Sequence, residues 1–248
     1  GGVEPGYPHG MIRIHSRPDL DEAVALEAVR EHYGLDGTLT PLPGYRDRNF
    51  LLEVEGGVRY VVKVSCPDQP QTILEFENRM IERLAEDTNG LVPGLVAARS
   101  GSTLVEHVDP AGSTHRLRIL HFLPGTVLAT VRPRSEALML DIGRRMADLA
   151  SALSAIPDHP PARIDLDWAL GPAGDVMERG LALLEGEERA LIERVISSFR
   201  AKEPEFLGLG SQMIHGDVND HNVLVSLTEG EEYRVAGIID LGDAHSAP

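Results

Sequence analysis

The sequence contains little cysteine, little lysine and no long apolar run. Its single cysteine, Cys66, excludes an internal disulfide framework and a cysteine-based zinc site, and is typical of a reducing, cytoplasmic compartment. No apolar stretch approaches the ~18 residues of a membrane span, so we expect no membrane segment. The 248 residues are enough to bury a sizeable core without disulfides or structural metals.

Positive charge is also scarce. The chain has 39 acidic and 23 basic residues, a net charge of −16. Such a surface repels a phosphate backbone, so we expect no nucleic-acid partner, and an anionic ligand would need a local cationic site. Only two of the cationic residues are lysines, Lys63 and Lys202. Because almost every cationic residue is arginine, a lysine is either there by chance or lies at a site where a guanidinium is unsuitable.

The pattern along the chain predicts an α+β fold with two lobes. A strand-rich first half with one long helix is followed by a mainly helical second half that contains a late hairpin. We predict an N-lobe over residues 11–122 and a C-lobe over 123–248. Residues 1–10 resemble a leader or tag, because Met11 is a plausible start and no signal peptide is present. The chain stops soon after a strand-like run, so we expect an incomplete C-lobe.

Local signals place the main elements. Apolar residues at helical spacing predict helices over 18–33, 71–86, 134–155, 173–184 and 186–200. Ser16 or Asp19 is available to cap the first helix, and Gly34 to end it. Three strands are expected within 37–64, with Gly56-Gly57 as a tight hairpin turn. Two more strands are expected near TLVEHV and HRLRILHF.

The late hairpin brings polar residues together. Strands NVLVS and YRVAGII are joined by a polar turn. Antiparallel pairing would place Asn222, before the first strand, opposite Asp240, after the second. Asp217 lies five residues upstream, beyond the bend at His215-Gly216. Two oxygen ligands and a nearby carboxylate suit Mg²⁺, which takes few protein ligands and prefers phosphate oxygens for the rest.

Other interpretations of this segment are weaker. A calcium loop starting at Asp217 fails, because its glycine position is Asn222 and its twelfth position is Thr228. His215 and His221 have no further pattern that would support a zinc site. Asn and Asp are common turn formers, which would explain either residue alone. The hairpin ending in Ile239-Asp240 makes a coincidence less plausible.

Lys63 ends the strand RYVVKVS, where a lysine among valines is costly without a partner. The following helix offers two carboxylates, Glu75 and Glu77. A strand lysine paired with a helix glutamate, placed against phosphates, is the arrangement that kinases use. The alternative is an edge-strand lysine that points into solvent.

The segment HGDVNDHN, followed by a hairpin and GIIDLGD, resembles the catalytic segment of the aminoglycoside phosphotransferase-like kinases. That superfamily includes choline, homoserine and hydroxylysine kinases. The likeness is closest to the hydroxylysine-kinase-like branch, which includes kinase modules fused ahead of class III aminotransferases. It implies a bilobal protein-kinase-like fold whose small N-lobe has an antiparallel sheet. The supporting segments are LPGYRDRNFLLEV, RYVVKVS, LEFENRMIERL, HRLRILHFLPG, IDLDWAL and GDVNDHNVLV.

The resemblance implies a role for each matching residue. Asp217 matches the catalytic aspartate that orients the substrate hydroxyl and accepts its proton. Asn222 and Asp240 match the Mg²⁺ ligands. Lys63 matches the lysine on the nucleotide phosphates, and Glu77 is the better match for its helix partner.

The nucleotide contacts are less sharply implied. The loop over residues 43–49 would cover the phosphates, but only Gly44 of the G-x-G-x-x-G pattern remains, with Asn49 at the end of the loop. Arg46 and Arg48 would touch phosphate or lie in solvent, and Asp243 would bind a substrate ammonium, a second metal or solvent. The backbone at His121 and Phe122, at the lobe junction, would hold the base.

The resemblance therefore implies a small-molecule kinase. We expect transfer of the γ-phosphoryl group of ATP or GTP, with Mg²⁺, to a hydroxyl of an amine-bearing metabolite. A hydroxylysine-like acceptor is favoured over an aminoglycoside, homoserine or choline, and the acidic surface suits a cationic or zwitterionic substrate. One alternative is a kinase module with a fused C-terminal aminotransferase. Another is a nucleotide-binding pseudokinase, against which the intact motif residues argue.

Overall fold

The computed structural model describes residues 17–156, 166 and 169–248. The predicted leader at 1–10, the candidate cap Ser16 and most of the segment IDLDWAL lie outside these residues. Across the described part of the chain, none of the helices combines the length and the apolar character needed to cross a bilayer.

The first part of the described chain is built on an antiparallel sheet. Its strand order is β1-β2-β3-β6-β4, and β5 also pairs with β6. All of these pairings are antiparallel, as predicted. The elements are α1 (Glu22–Tyr33), β1 (Gly37–Leu42), β2 (Arg48–Val54), β3 (Arg59–Val64), α2 (Gln71–Asp87), β4 (Leu95–Val96), β5 (Val105–Val108) and β6 (Thr114–His121).

Local signals explain where these elements begin and end. Gly56 and Gly57 both have positive φ, at 87° and 81°, which the tight turn between β2 and β3 requires. Gly34 ends α1 in the left-handed region, as predicted. The cap of α1 was predicted wrongly, because Asp21 rather than Asp19 accepts the Val24 N–H at 2.9 Å.

The second part is mainly helical and carries two small sheets, so the predicted α+β class is confirmed. One sheet has the order β10-β9-β7 and the other pairs β11 with β8. The predicted lobe boundary at 122/123 falls in the connection between β6 and β7. The elements are β7 (Thr126–Val127), α3 (Glu136–Ser154), α4 (Ala173–Gly180), α5 (Gly186–Leu207), β8 (Gln212–Ile214), β9 (Val223–Leu227), β10 (Tyr233–Ile238) and β11 (His245–Ala247).

The helix α1 begins at Glu22, four residues after its predicted start, and two other helices end several residues from their predicted ends. The helix α4 stops at Gly180, and a 3-10 turn over Leu181–Leu183 replaces its predicted last turn. The helix α5 continues seven residues past the predicted end at residue 200. Helical periodicity identifies which face is apolar, but it does not fix where a helix stops.

Helix α2 connects the sheet to the second part of the chain. Phe76, Met80 and Leu84 of α2 are buried in one cluster with Leu149 of α3 and Ile238 of β10. Burying a side chain of this size contributes about 1.5–3 kcal/mol. The segment after β10 is therefore packed against the helix that follows β3, which brings the two halves of the predicted site together.

The late hairpin forms, but its predicted register is wrong by one residue. A bulge between Val235 and Gly237 adds one residue to β10. Asn222 consequently lies opposite Ile239, whose N–H donates to the Asn222 carbonyl at 2.9 Å. Asp240 lies one residue beyond the pair. Direct pairing of Asn222 with Asp240 would require a second bulge.

Candidate active site

Lys63 lies at the centre of the site, on a strand with neighbours on both sides. It is opposite Asn49 of β2 and Arg118 of β6. Its side chain is only 12% exposed, so the alternative of an edge-strand lysine in solvent is wrong. A buried ammonium on a central strand requires anionic partners.

The carboxylates of Asp240 and Asp47 are the anionic partners of Lys63. The Lys63 Nζ lies 3.1 Å from Asp240 Oδ1 and 3.6 Å from Asp47 Oδ2. Burial lowers the pKa of Lys63, but the charges of Asp240 and Asp47 outweigh it, so the pKa lies above its ordinary value. The Lys63 ammonium in turn lowers the pKa of Asp240 to about 2. Both groups are therefore charged at neutral pH.

The predicted partner of Lys63 contacts a different cation. Glu77 Oε2 accepts from Arg118 Nη2 at 2.8 Å, and Glu77 Oε1 accepts from Gln69 Nε2 at 2.9 Å. The predicted Lys63–Glu77 ion pair is thus replaced by an Arg118–Glu77 pair whose side chains are 2% and 1% exposed. The physical reason is that Arg118 is the cross-strand neighbour of Lys63, and its longer side chain reaches α2. The other candidate, Glu75, accepts from Gln71 on the helix surface.

Asp217 is held by two amides of its own loop. Asn222 Nδ2 donates to Asp217 Oδ2 at 3.0 Å and to its backbone carbonyl at 2.9 Å, and Asn219 Nδ2 donates to Asp217 Oδ1 at 2.8 Å. The structure therefore brings the predicted catalytic residue and one predicted metal ligand into contact. Because Nδ2 of Asn222 points at Asp217, its Oδ1 is the atom available to a cation.

His215 fixes the backbone on which Asp217 lies. A carbonyl can only accept, so the 3.0 Å contact with the Ile239 carbonyl places the proton on His215 Nε2. His215 Nδ1 then accepts the Asp217 N–H at 3.3 Å. Burial lowers the pKa of His215, which favours this neutral form. A Cβ at Gly216 would collide with the Asp243 carbonyl, which explains the glycine in the H-G-D motif.

Asp240 has a strained backbone at the end of β10. Its φ of 65° lies in the left-handed region, which typically costs 1–3 kcal/mol for a residue other than glycine. Its side chain is 53% exposed, although Lys63 contacts one oxygen. A hard cation prefers carboxylate and amide oxygens, so Asp240 and Asn222 Oδ1 fit Mg²⁺ beside a lysine suited to phosphate.

The loop between β1 and β2 contacts the Asp240 segment. Arg46 Nη2 lies 2.6 Å from Asp243 Oδ1 and 3.3 Å from the Gly242 carbonyl. This contact differs from the predicted roles of both residues, which were phosphate or solvent for Arg46 and substrate, metal or solvent for Asp243. Arg46 and Asp243 come from opposite halves of the chain, so the contact between them forms only when the chain folds.

The sequence neighbours of Arg46, Asp47 in the loop and Arg48 at the start of β2, have distinct contacts. Asp47 was not predicted, although Oδ1 accepts the Cys66 N–H at 3.0 Å and Oδ2 faces Lys63. Its position two residues before Asn49, the residue opposite Lys63, was the available signal. Arg48 lies over the Phe50 ring, with 5.6 Å from Cζ to the ring centroid.

Of the two predicted nucleotide residues in the segment 43–49, Gly44 lies in the loop and Asn49 lies in β2, where its side chain contacts the loop. Asn49 Nδ2 donates to the Pro43 carbonyl at 3.2 Å, and a Cβ on Gly44 would lie 2.7 Å from the same Nδ2. Gly44 thus allows the loop to fold tightly over Asn49. Contact of either residue with a nucleotide stays a prediction.

At the lobe junction, the backbone N–H groups of His121 and Phe122 both donate to carbonyls of the chain itself. The His121 N–H donates to the Gly94 carbonyl at 2.9 Å, and the Phe122 N–H donates to the Arg59 carbonyl at 3.3 Å. The Arg59 guanidinium lies 4.1 Å from the Phe122 ring centroid. The predicted contact of His121 and Phe122 with the base would therefore use carbonyl or side-chain groups, and it stays a prediction.

Comparison with solved structures shows the fold. An aminopropanol kinase associated with a microcompartment superposes with a TM-score of 0.71 at 22% identity, covering 91% of this chain and 70% of that one. An amicoumacin kinase in complex with AMP-PNP, Ca²⁺ and Ami gives a TM-score of 0.68 at 16% identity, covering 92% and 65%. The predicted kinase-like fold is thereby confirmed.

Comparison of sequences finds relatives among hydroxylysine kinases. The chain is 30% identical to the hydroxylysine kinases of Xenopus laevis and Mus musculus, covering 92% of this chain and 66% of each relative. It therefore spans about two thirds of the length of these curated relatives. The predicted resemblance to the hydroxylysine-kinase-like branch is confirmed. Residues 38–248 match the phosphotransferase enzyme family, and the chain belongs to that family.

Proposed function

We propose that the chain is a small-molecule kinase that transfers the γ-phosphoryl group of ATP or GTP to a hydroxyl of an amine-bearing metabolite. The observation that carries the proposal is the contact of Lys63 with Asp240, on strand ends from opposite halves of the chain. Beside Asp240 in the fold, His215 accepts the N–H of Asp217, and Asn222 donates to the same Asp217. Phosphoryl transfer requires this kind of alignment and charge neutralisation rather than covalent chemistry by the protein.

Each of these groups has a role in the transfer. Lys63 would bind the nucleotide phosphates. Asn222 Oδ1 and Asp240 would hold Mg²⁺, which supplies neutralising charge at the phosphates when bound. The acceptor oxygen forms a bond to the γ-phosphorus, while the bond from that phosphorus to the bridging oxygen breaks. The nucleoside diphosphate leaves, and the hydroxyl proton moves to the Asp217 carboxylate.

The amide contacts of Asp217 prepare it for that step. Each carboxylate oxygen accepts one amide hydrogen, so the carboxylate is fixed while it retains lone pairs for the substrate hydroxyl. A fixed base near the acceptor oxygen lowers the entropic cost of reaching the transition state. Neutral His215 contributes by holding the Asp217 backbone.

The acceptor is the finer part of the proposal. The net charge of −16 favours a cationic or zwitterionic substrate over an anionic one. The curated relatives, 26–30% identical, are hydroxylysine kinases, and one structural neighbour is an aminopropanol kinase. Hydroxylysine and aminopropanol, the substrates in these names, both carry an amino group and a hydroxyl. We therefore place hydroxylysine first, ahead of aminoglycosides, homoserine and choline.

A nucleotide-consumption screen tests the proposal. The chain is incubated with Mg²⁺, ATP or GTP, and a panel of hydroxylysine, aminopropanol, homoserine, choline and an aminoglycoside. We expect acceptor-dependent consumption that falls at least 10²-fold in Asp217→Asn. The matched control is Asp148→Asn, which removes only a surface contact with Arg145 and should keep full activity.

Three results would contradict parts of the proposal. Equal activity in Asp217→Asn and wild type would exclude the mechanism. Mg²⁺-dependent nucleotide binding with no turnover of any acceptor would favour the pseudokinase. Activity only with acceptors that lack an amino group would overturn the substrate class. The cytoplasmic location and a fused C-terminal domain stay predictions.

A further inference from the structure

A cluster of two imidazoles and a carboxylate lies on the opposite face of the sheet from Lys63. Glu31 and His32 are in the last turn of α1, and His107 is on β5. His107 faces α1 because side chains alternate along β5, and it is one of the buried residues of that strand. Lys63 points away from this face, since its buried neighbours Val62 and Val64 pack with α1.

The three side chains are spaced as ligands of one ion. Glu31 Oε2 lies 3.3 Å from His107 Nδ1 and 3.9 Å from His32 Nε2, and three ligand atoms of the cluster lie within 4.8 Å of one another. Zinc binds nitrogen and oxygen ligands at about 2.0–2.2 Å, so the ligand atoms of a tetrahedral site lie roughly 3.3 Å apart. Small side-chain rotations would bring the cluster to that geometry.

Buried nitrogen atoms give an independent indication. Among the described residues, Nε2 of His32 and Nε2 of His107 are both buried and have no hydrogen-bond partner. The His107 side chain is only 7% exposed. Buried polar atoms are normally satisfied, so the unpartnered Nε2 of His32, which lies 3.9 Å from Glu31 Oε2, calls for a ligand. At His107 the nitrogen that faces Glu31 is the other one, Nδ1. A metal ion would bind the lone pair of His32 Nε2, which has no hydrogen-bond partner in the described part of the chain.

The backbone under the cluster is held in place. The Arg99 N–H donates to the His32 carbonyl at 2.8 Å, and Arg99 Nη1 donates to the Glu31 carbonyl at 3.4 Å. These contacts satisfy the carbonyls at the end of α1 and leave the side chains of Glu31 and His32 for another partner. A site on such a fixed turn needs little reorganisation to bind.

We propose that Glu31, His32 and His107 form a binding site for a late first-row divalent cation, with Zn²⁺ as the best-matched ion. Two imidazoles and one carboxylate suit zinc, whereas Mg²⁺ prefers oxygen ligands. Three protein ligands leave one position for water. The ion would join the end of α1 to β5 and stabilise that contact. The site is independent of the proposed kinase function.

Zinc titration of the full chain tests this site. The chain has ten histidines, so the measurement is the difference in Zn²⁺ stoichiometry and affinity between wild type and variants, by calorimetry in excess Mg²⁺. We expect one Zn²⁺ per chain to be lost, or bound at least tenfold more weakly, in His107→Gln. His115→Gln is the matched control, because His115 is opposite His107 on β6 but contacts Asp109 at 3.0 Å.

A second variant keeps the test independent of folding. Glu31 is 61% exposed, so Glu31→Gln should leave the fold intact. We expect Zn²⁺ to raise the Tm of wild type and of Glu27→Gln, a matched variant one turn earlier on α1, by several degrees more than that of Glu31→Gln. Co²⁺ should give the visible absorption of a tetrahedral site in wild type and in Glu27→Gln, but not in Glu31→Gln. Equal Zn²⁺ binding and equal Tm shifts in wild type, His107→Gln and Glu31→Gln would overturn the proposal.

Discussion

Lys63 and Arg118 are cross-strand neighbours, yet their surroundings differ sharply. Arg118 donates to Glu77 and Asn78 of α2, inside the first part of the chain. This network is sealed from solvent. The contacts of Arg118 therefore hold a helix to the sheet, and their main consequence is stability.

Lys63 instead has one partner from each half of the chain. Asp47 comes from the loop before β2, and Asp240 follows β10. Asp240 is half exposed, so a ligand can reach it and replace the contact with Lys63. A compact ammonium suits such an exchange, whereas the rigid fork of arginine suits two fixed partners. The comparison explains why a chain that is poor in lysine keeps one at this position.

The largest expected effect is on activity, in Lys63→Met. Removing the charge that faces the phosphates should lower kcat/KM for the nucleotide about 10²–10³-fold. The free energy of unfolding should change by much less, because Asp240 is half exposed. Steady-state kinetics and urea unfolding measure the two effects. Lys202→Met is the control: that lysine is exposed and contacts Glu205 on the surface, so neither quantity should change.

The next effect is on stability, in Arg118→Met. Glu77 would remain buried without its cation, which typically costs about 3–5 kcal/mol. Urea unfolding should show this loss, and Arg118→Met combined with Glu77→Leu should recover much of it. A loss no greater than that of Lys63→Met would erase the distinction between the two cations.

A smaller effect is expected in Arg46→Ala. Its contact with Asp243 ties the loop before β2 to the segment after Asp240. A hydrogen bond to a charged group contributes about 1.5–3 kcal/mol, so we expect the nucleotide KM to rise roughly tenfold with a smaller change in kcat. A double-mutant cycle with Asp243→Ala measures the coupling, and additive effects would show that the contact has no role.

The smallest effect is a pH dependence of the Lys63–Asp240 contact. Because Lys63 lowers the pKa of Asp240 to about 2 in the folded state, the contact stabilises fully above the ordinary pKa of 3.8. This stabilisation is lost as the pH falls from about 4 through 2. For a half-exposed pair we expect it to be below about 1 kcal/mol. The difference in unfolding free energy between wild type and Lys63→Met should shrink in that range, and a constant difference would contradict the assignment.

The sequence predicted the elements of the site better than their contacts. Strand alternation and the glycine turn predicted Lys63 on a strand, where the structure has it, and the H-G-D-x-x-x-x-N pattern predicted that Asp217 and Asn222 lie together, as they do. The roles of these residues stay predictions. The Arg118–Glu77 pair was missed because Arg118 is 55 residues from Lys63 along the chain, and the position of β6 beside β3 is decided by sheet topology. The register at Asp240 was missed by one residue, although the bulge between Val235 and Gly237 shifts β10 towards the predicted pairing, because the sequence does not show how many residues are bulged.

The contact of Arg46 with Asp243 was missed for a related reason. The two residues are 197 positions apart, and only the packing of α2 against the segment after β10 brings them together. No local pattern at Arg46 shows whether its side chain contacts a distant segment of the chain or lies in solvent. Residue types and spacing therefore predict which chemistry is present, while tertiary packing decides which charges pair.

Nucleotide binding to Lys63→Met is the most direct test of the account. Isothermal titration of ATP and GTP, with and without Mg²⁺, needs no knowledge of the acceptor. We predict Mg²⁺-dependent binding to wild type that weakens at least tenfold in Lys63→Met and is unchanged in Lys202→Met. Equal nucleotide affinity in wild type and Lys63→Met would contradict the central claim that Lys63, beside Asp240, forms the phosphate site.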